Sequence, residues 1–494
     1  MSVVFLDHAS TTPIDPAVAT AMDTVLRGQL GLGNPASSTH AYGREAAAAI
    51  EAARLDIAGL IGAEARDIIF TSGATESDNL AILGVARGRE SRGRHLVTTR
   101  IEHKAVLDPA RELEKRGWQV SWLEPARDGR VEPSAVAAAL RADTQLVSVM
   151  HANNETGVVQ DIAAIAAVCR DHDVLVHCDA AQTAGRLALD VRSLGVDLLS
   201  FSAHKMYGPK GVGALWVSAR AKPWVIPLMW GGGHERGLRP GTPATHQIIG
   251  FAAAARRVLE RRTQDAAQGE ALACQFRALL ADLAGLSWND HPQHRLPGLV
   301  SLSIEGVEGE SLIAAIPAIA VSTGAACDSA VGEPSYVLRA QGVAPELAQA
   351  TLRIAFGRFN TMADAELAAR EVRAAVHSLR ARDRDGAPAG RGWFSGEAGS
   401  RREGAHIRCF LRTDASRLIG ALEFRAFACP AVWRVLEALS AEAIGQSIGS
   451  VDLGGPQQWA RQYAVPVEKL GRLLRVEDAI RRALEAAGAS PATH

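Results

Sequence analysis

The stretch Asp197-Leu-Leu-Ser-Phe-Ser-Ala-His-Lys205-Met-Tyr-Gly-Pro-Lys-Gly-Val-Gly213 decides how this chain is read. Leu198, Leu199 and Phe201 read as a short buried strand, and Gly208, Pro209, Gly211 and Gly213 as the loop that ends it. A lysine at the exit of a buried strand, behind Ser202, Ala203 and His204, suits covalent attachment of an aldehyde cofactor. Desolvation and nearby cations lower a lysine's pKa until the neutral amine can attack a carbonyl. Alone, the same stretch reads as well as a surface lysine at a strand end.

Other stretches tilt the balance. Val174-Leu-Val-His-Cys-Asp179-Ala-Ala-Gln182 is a second strand with a polar end. Pyridoxal 5'-phosphate needs a carboxylate against its ring nitrogen, and Asp179 can supply one. Gln182 can hydrogen-bond the ring's phenolic oxygen. Ile68-Ile-Phe-Thr-Ser-Gly73-Ala74-Thr75 reads as a strand, a glycine turn and a helix start, where free N–H groups and the Thr75 hydroxyl make a phosphate site. His103 can stack on a ring and move protons, and the amides around Asn154 in Met150-His-Ala-Asn-Asn154-Glu-Thr-Gly157 can reach ring substituents. Singly, each has a plainer reading as a cap or a solvated loop residue.

Together these residues carry a resemblance to pyridoxal-phosphate cysteine desulfurases of the IscS/NifS type, in the aminotransferase class V family. It runs from about residue 3 to about 380 through LDHASTTP, FTSGATESDNLAI, EHKAVLD, HANNETGVVQDIAAI, DAAQ, SFSAHKMYGPKG, GGGHERGLRPGT and STGAACDSA. The resemblance implies PLP fold type I, with Lys205, Cys327 and His103 catalytic. It also implies cofactor contacts from Ala74, Thr75, His103, Asn154, Asp179, Gln182, Ser202, His204 and Lys205. Thr242, in Gly237-Leu-Arg-Pro-Gly-Thr242, matches the threonine that in the family reaches the partner subunit's phosphate, so a homodimer is expected.

Length and composition bound the rest. A chain of 494 residues is too long for one core, so two or three domains are expected. The net charge of −1 and the lack of a basic stripe give nucleic acid no obvious purchase. The N-terminus enters a strand directly and no apolar run reaches membrane-spanning length, so a cytoplasmic protein is expected. Six cysteines, at 169, 178, 274, 327, 409 and 429, show no CxxC and no paired spacing. Neither a disulfide framework nor a metal site is expected from them. Cys169 and Cys178 read as core residues and Cys274 as an inert helix residue.

From about 15 to 255 strands alternate with helices, which predicts an α/β fold with a mostly parallel sheet covered on both faces. Ligands in such sheets bind beyond the carboxyl ends of the strands, where the polar residues fall. A large domain over 16–257 is followed, through a long helix at about 243–285, by a small α+β domain of 1–15 and 258–380.

The small domain carries a second chemical centre. Val321-Ser-Thr-Gly-Ala-Ala-Cys327-Asp-Ser-Ala-Val-Gly reads as a loop, and an exposed loop cysteine is a nucleophile once its thiolate is favoured. Its place matches the family's persulfide-forming cysteine. Arg353, on an apolar strand, needs an anion. The candidates are an amino acid's α-carboxylate, held together with Asn154, or an internal Asp or Glu. The activity implied is conversion of L-cysteine to L-alanine, with sulfur passed through Cys327 to acceptor proteins for iron–sulfur cluster assembly, with tRNA or cofactor thiolation as further destinations. Selenocysteine lysis, transamination by another class V enzyme, and a binding or regulatory role are the alternatives.

Residues 381–404, charged and glycine-rich, read as a linker. Beyond them, two strands at about 407–412 and 421–427 and helices at about 431–443 and 467–487 resemble the IscU/NifU-type iron–sulfur scaffold. Of that family's three cysteines only Cys429 has a counterpart. The other positions fall near Arg402 and Gly471-Arg472, while Cys409 lies on a strand. Residues 405–494 are thus expected to be a degenerate scaffold-like module for binding or sulfur relay, since a cluster needs about four such ligands.

Overall fold

The computed structural model describes residues 3–323 and 334–488. A seven-stranded sheet lies at its centre, in the order Ile68–Thr71, Gly213–Val217, Leu198–Ser202, Leu175–Asp179, Thr144–Ser148, His95–Thr99 and Gln119–Leu123. The last five run parallel, and Gly213–Val217 runs against both its neighbours. All but the edge strand Gln119–Leu123 are buried at every residue, as a sheet covered on both faces requires.

Strand alternation sorts the side chains into two cores. Val176, Cys178, Leu199 and Phe201 pack with Ile57 and Phe251 on one face. Leu175 and Leu198 pack with Leu80 and Val85 on the other. Leu175, His177 and Asp179 therefore share the face covered by helix Ala74–Arg89.

Helix Thr245–Leu280, roughly 54 Å long at 1.5 Å per residue, joins the two halves. Phe251 and Val258 lie in the large core, and Leu272, Phe276 and Leu280 in the small one. In the small half, Leu299–Ile304 sits between Thr351–Ala355 and Leu286–Trp288, all antiparallel, with Ser301 opposite Arg353. Val4–Phe5 pairs parallel to Ile319–Ala320, so the N-terminal strand joins this half.

The C-terminal unit is a three-stranded antiparallel sheet, Trp393–Ser400, Ala405–Thr413 and Ile419–Phe427. It packs with helices Pro430–Glu442, Pro456–Gln462 and Leu470–Ala486 around its own core, with Trp459 fully buried. Its first strand corrects the expected linker of 381–404. Helix Met362–Arg382 runs to the start of that stretch, and residues 393–400 pair fully with Ala405–Arg412. The glycines that suggest flexibility serve close packing instead. A Cβ on Gly396 would stand 2.1 Å from Ala479 O, so only glycine lets this strand lie against the last helix.

The unit rests on the small half. Ser311 Oγ donates to Ala428 O at 2.8 Å, Lys469 pairs with Glu310, and Arg472 Nη1 stands 3.6 Å from Glu308. Cys429, immediately before helix Pro430–Glu442, is fully buried beside Arg472.

Thiol chemistry checks this arrangement. Cys274 is exposed, whereas Cys169, Cys178, Cys409 and Cys429 are buried. Burial, then Asp197, pushes the Cys169 thiol up to about 12, and burial raises Cys178 and Cys409 as well. Iodoacetamide at neutral pH should modify Cys274 in the native chain, and those four only after denaturation, as mapped by peptide mass. Rapid native labelling of Cys429 would contradict the packing described.

Candidate active site

The carboxyl ends of the central strands open onto a cavity of about 610 Å³. Ala74, Thr75, His103, Asn154, Asp179, Gln182, Ser202, His204, Lys205 and Arg353 all line it. Residues as far apart in sequence as Ala74 and Arg353 thus meet in one place. Thr242 is not among the lining residues, and Cys327 lies outside the described residues.

Lys205 ends a short 3-10 turn that follows strand Leu198–Ser202. Its Nζ donates to Ala9 O at 2.5 Å, and Gln182 Nε2 donates to the same oxygen at 2.9 Å. The neighbouring residues secure this latch. Thr12 donates twice to His204 O, at 2.8 and 2.9 Å, and His204 Nδ1 lies 3.1 Å from Thr11 Oγ1.

Buried acids dominate the cavity floor. Burial, with Asp78 next in weight, pushes the Asp179 carboxyl up to about 6, against partial relief from the Ala181 N–H at 2.8 Å. Asp78 is itself pushed up to about 7 by burial, which Ser200 offsets only in part. It stands 3.4 Å from Nε2 of His177, which burial lowers to about 4. Glu102, raised by burial, accepts from Met150 N and Thr99 Oγ1 at 2.9 Å each. Burial also lowers His103, whose Nδ1 accepts the Ala105 N–H at 3.2 Å. The neutral ring therefore carries its proton on Nε2.

These features fit pyridoxal phosphate. Gln182 Oε1, Asn154 Oδ1 and Ser202 Oγ are buried without partners in a cavity they line. Buried polar atoms are rarely left so unless a ligand completes them. Asp179 is a desolvated carboxyl facing space where a cation would relieve it. At the other end, helix Ala74–Arg89 starts at Gly73 with no side-chain cap, so its first N–H groups remain open to an anion. A Cβ on Gly213 would lie 2.7 Å from Gly73 backbone atoms, so glycine there lets the turn seat against the sheet.

Arg353 is buried and already has an internal partner. Nη2 pairs with Asp7 Oδ1 at 2.7 Å, Nη1 donates to Asn154 O at 2.8 Å, and Nε is buried without a partner. Sequence reasoning missed Asp7, although it stands in the quoted LDHASTTP stretch. It missed Asp78 as well, whose burial no local pattern betrays. Ser322 exchanges backbone hydrogen bonds with Arg353 at 2.7 and 3.3 Å, and Ser335 Oγ bonds Glu155 next to Asn154. The flanks of the segment containing Cys327 are thus both tied to the cavity rim.

Comparison with known proteins agrees with this geometry. The aminotransferase class-V profile matches residues 4–367. Cysteine desulfurase IscS of Azotobacter vinelandii is 50% identical over 377 residues, 76% of this chain and 93% of that protein. Cysteine desulfurase IscS of Pseudomonas syringae pv. tomato is 50% identical over 378 residues, 76% of this chain and 94% of that protein. Among solved structures, a NifS-like protein superposes with a TM-score of 0.71 at 34% identity, covering 76% of this chain and all of the other. SspA in complex with cysteine superposes with a TM-score of 0.65 at 35% identity, covering 72% and 100%. The chain belongs to the aminotransferase class-V family, among its desulfurases of the IscS/NifS type.

Proposed function

We propose that this chain is a pyridoxal 5'-phosphate-dependent cysteine desulfurase that converts L-cysteine to L-alanine and collects the sulfur as a persulfide on Cys327. The observation that carries this is the convergence of Lys205, Asp179, Gln182, His103 and Arg353 on one cavity that holds three unpartnered polar atoms. Lys205 would hold the cofactor, Asp179 its ring nitrogen, Gln182 its phenolic oxygen, His103 its ring face, and Thr75 with the helix start its phosphate, while Ala74, Asn154, Ser202 and His204 line the same site. When bound, PLP supplies an electron sink that stabilises negative charge at the substrate's Cα.

The chain's own residues do the rest. Arg353 holds the substrate α-carboxylate beside Asn154, with Asp7 fixing the guanidinium's orientation. The Lys205 amine takes the Cα proton, and His103 moves a proton at Nε2, because Nδ1 is engaged by the backbone. The Cys327 thiolate attacks the substrate sulfur: an S–S bond forms and the Cβ–S bond breaks. The electron pair remains with carbon, which is protonated to the methyl of alanine. Cys327 must then reach an acceptor.

A homodimer in the cytoplasm is the state we propose. The loop preceding Thr242 exposes Trp230 and Met229, at 77% and 47%, which suits a face covered by a second copy. Iron–sulfur cluster assembly is the proposed destination of the sulfur. The C-terminal unit is read as a degenerate scaffold-like module held in cis. Arg472, at one of the positions where that family carries a cluster cysteine, stands against Cys429 and Glu308. A relay through Cys429 would first require the thiol to be uncovered.

Two variants separate the chemical steps. Cys327→Ser should keep the bound-cofactor absorbance and its change on adding cysteine, yet release neither alanine nor sulfide. Normal turnover would remove Cys327 from the mechanism, and equal assays with selenocysteine would expose a lyase instead. Arg353→Gln should raise KM for cysteine roughly 10- to 100-fold, since hydrogen bonds to a charged group carry about 1.5–3 kcal/mol. An unchanged KM would show that Arg353 serves Asp7 alone.

A further inference from the structure

Outside the cavity, the loop between the sheet and the long helix is fastened in an unusual way. Glu235 and Arg236 are consecutive non-glycine residues with left-handed φ, 48° and 57°. That conformation is costly for residues with a Cβ and persists only where the surroundings enforce it. The enforcement is visible. The Glu235 carboxylate, 5% exposed, grips the equally buried Arg54 guanidinium with two bonds, of 2.7 and 2.8 Å. The same carboxylate accepts the Phe70 N–H at 2.8 Å. Arg54 also donates to Ile68 O at 2.9 Å and lies 4.5 Å over the Phe70 ring, and Arg236 donates to Ile68 O at 3.1 Å. Ile68–Thr71 is the edge strand opposite Gln119–Leu123, so these side chains act as the partners that another strand would provide.

A second clasp follows four residues on. Arg239 Nε pairs with Glu76 Oε1 at 3.0 Å, and Glu76 Oε2 accepts the Ser72 N–H at 2.6 Å. Two carboxylates thus hold the backbone N–H groups of Phe70 and Ser72, one on each side of Thr71. The turn Ser72-Gly73-Ala74-Thr75, where the anion-binding helix begins, comes directly after. Of the groups that pin it, Glu235, Arg54 and Arg239 do not line the cavity, while Glu76 lines it beside the turn.

We infer that Glu235, with Arg54, and Arg239, with Glu76, are positioning residues for the phosphate corner of the cofactor site. They fix the turn at 72–75 before the cofactor arrives, so that its N–H groups need no ordering on binding. Preorganisation of this kind shows as affinity for the group that the turn contacts. The inference deepens the pyridoxal-phosphate reading and rests on it.

The test uses the full-length chain stripped of cofactor and titrated with PLP, and separately with pyridoxal, which lacks the phosphate. Glu235→Ala is expected to weaken PLP by about tenfold or more, the scale of one lost charge-assisted hydrogen bond, and to leave pyridoxal nearly unchanged. Glu51→Gln removes only an exposed partner of Arg54 and is expected to bind PLP as wild type does. If Glu235→Ala lacks a cooperative melting transition, Arg239→Met decides by the same comparison, because its pair is only partly buried. Wild-type PLP affinity in these variants, or an equal loss for PLP and pyridoxal, would overturn the inference. A wild-type chain that binds no PLP would overturn the cofactor reading instead.

Discussion

The burial of the Asp179 carboxyl sets the terms for the rest of the site. It stands at the end of a fully buried strand, within electrostatic reach of Asp78 and Glu102, where ionisation is costly without a cation. Three carboxyls buried close together cost a folded scaffold stability rather than adding to it. A protonated heteroaromatic nitrogen would resolve the conflict. It would also be held protonated in return, which makes a pyridinium ring an effective electron sink.

The fold delivers the other groups to that carboxyl from separate elements. The parallel strands place Asp179, the turn to Lys205 and the loop carrying Asn154 along one edge. Residues 9–12 cross from the small half and close the lysine turn through Ala9 O and Thr12. Arg353 reaches the cavity from the small half's own sheet and is oriented by Asp7, only five residues before Thr12. Both halves are therefore needed to complete the site, and the N-terminal segment joins them chemically as well as topologically.

Much of this could be seen in the sequence, for physical reasons. Apolar strands ending in Asp179 and Lys205 announce a buried sheet with polar exits, and the glycine turn before Thr75 announces a helix start. What escaped notice depends on long-range placement. Asp7 pairs with Arg353 across 346 positions, and Asp78 is buried only because its helix lies on the sheet. The strand Trp393–Ser400 was hidden because glycine reads as flexibility, whereas Gly396 is there to admit the backbone of helix Leu470–Ala486. Cys429 presents the reverse case: its sequence position suggests a reactive thiol, yet it is enclosed by Arg472 and its own core.

The protonation state of the cofactor's ring nitrogen tests the central claim most directly. Nitrogen-15 NMR of the full-length chain loaded with ring-labelled PLP reads it without depending on turnover. A protonated nitrogen at neutral pH in the wild-type chain, and an unprotonated one in Asp179→Asn, is the predicted pair of results. An unprotonated nitrogen in the wild type, or the same spectrum from both proteins, would contradict the role given to Asp179.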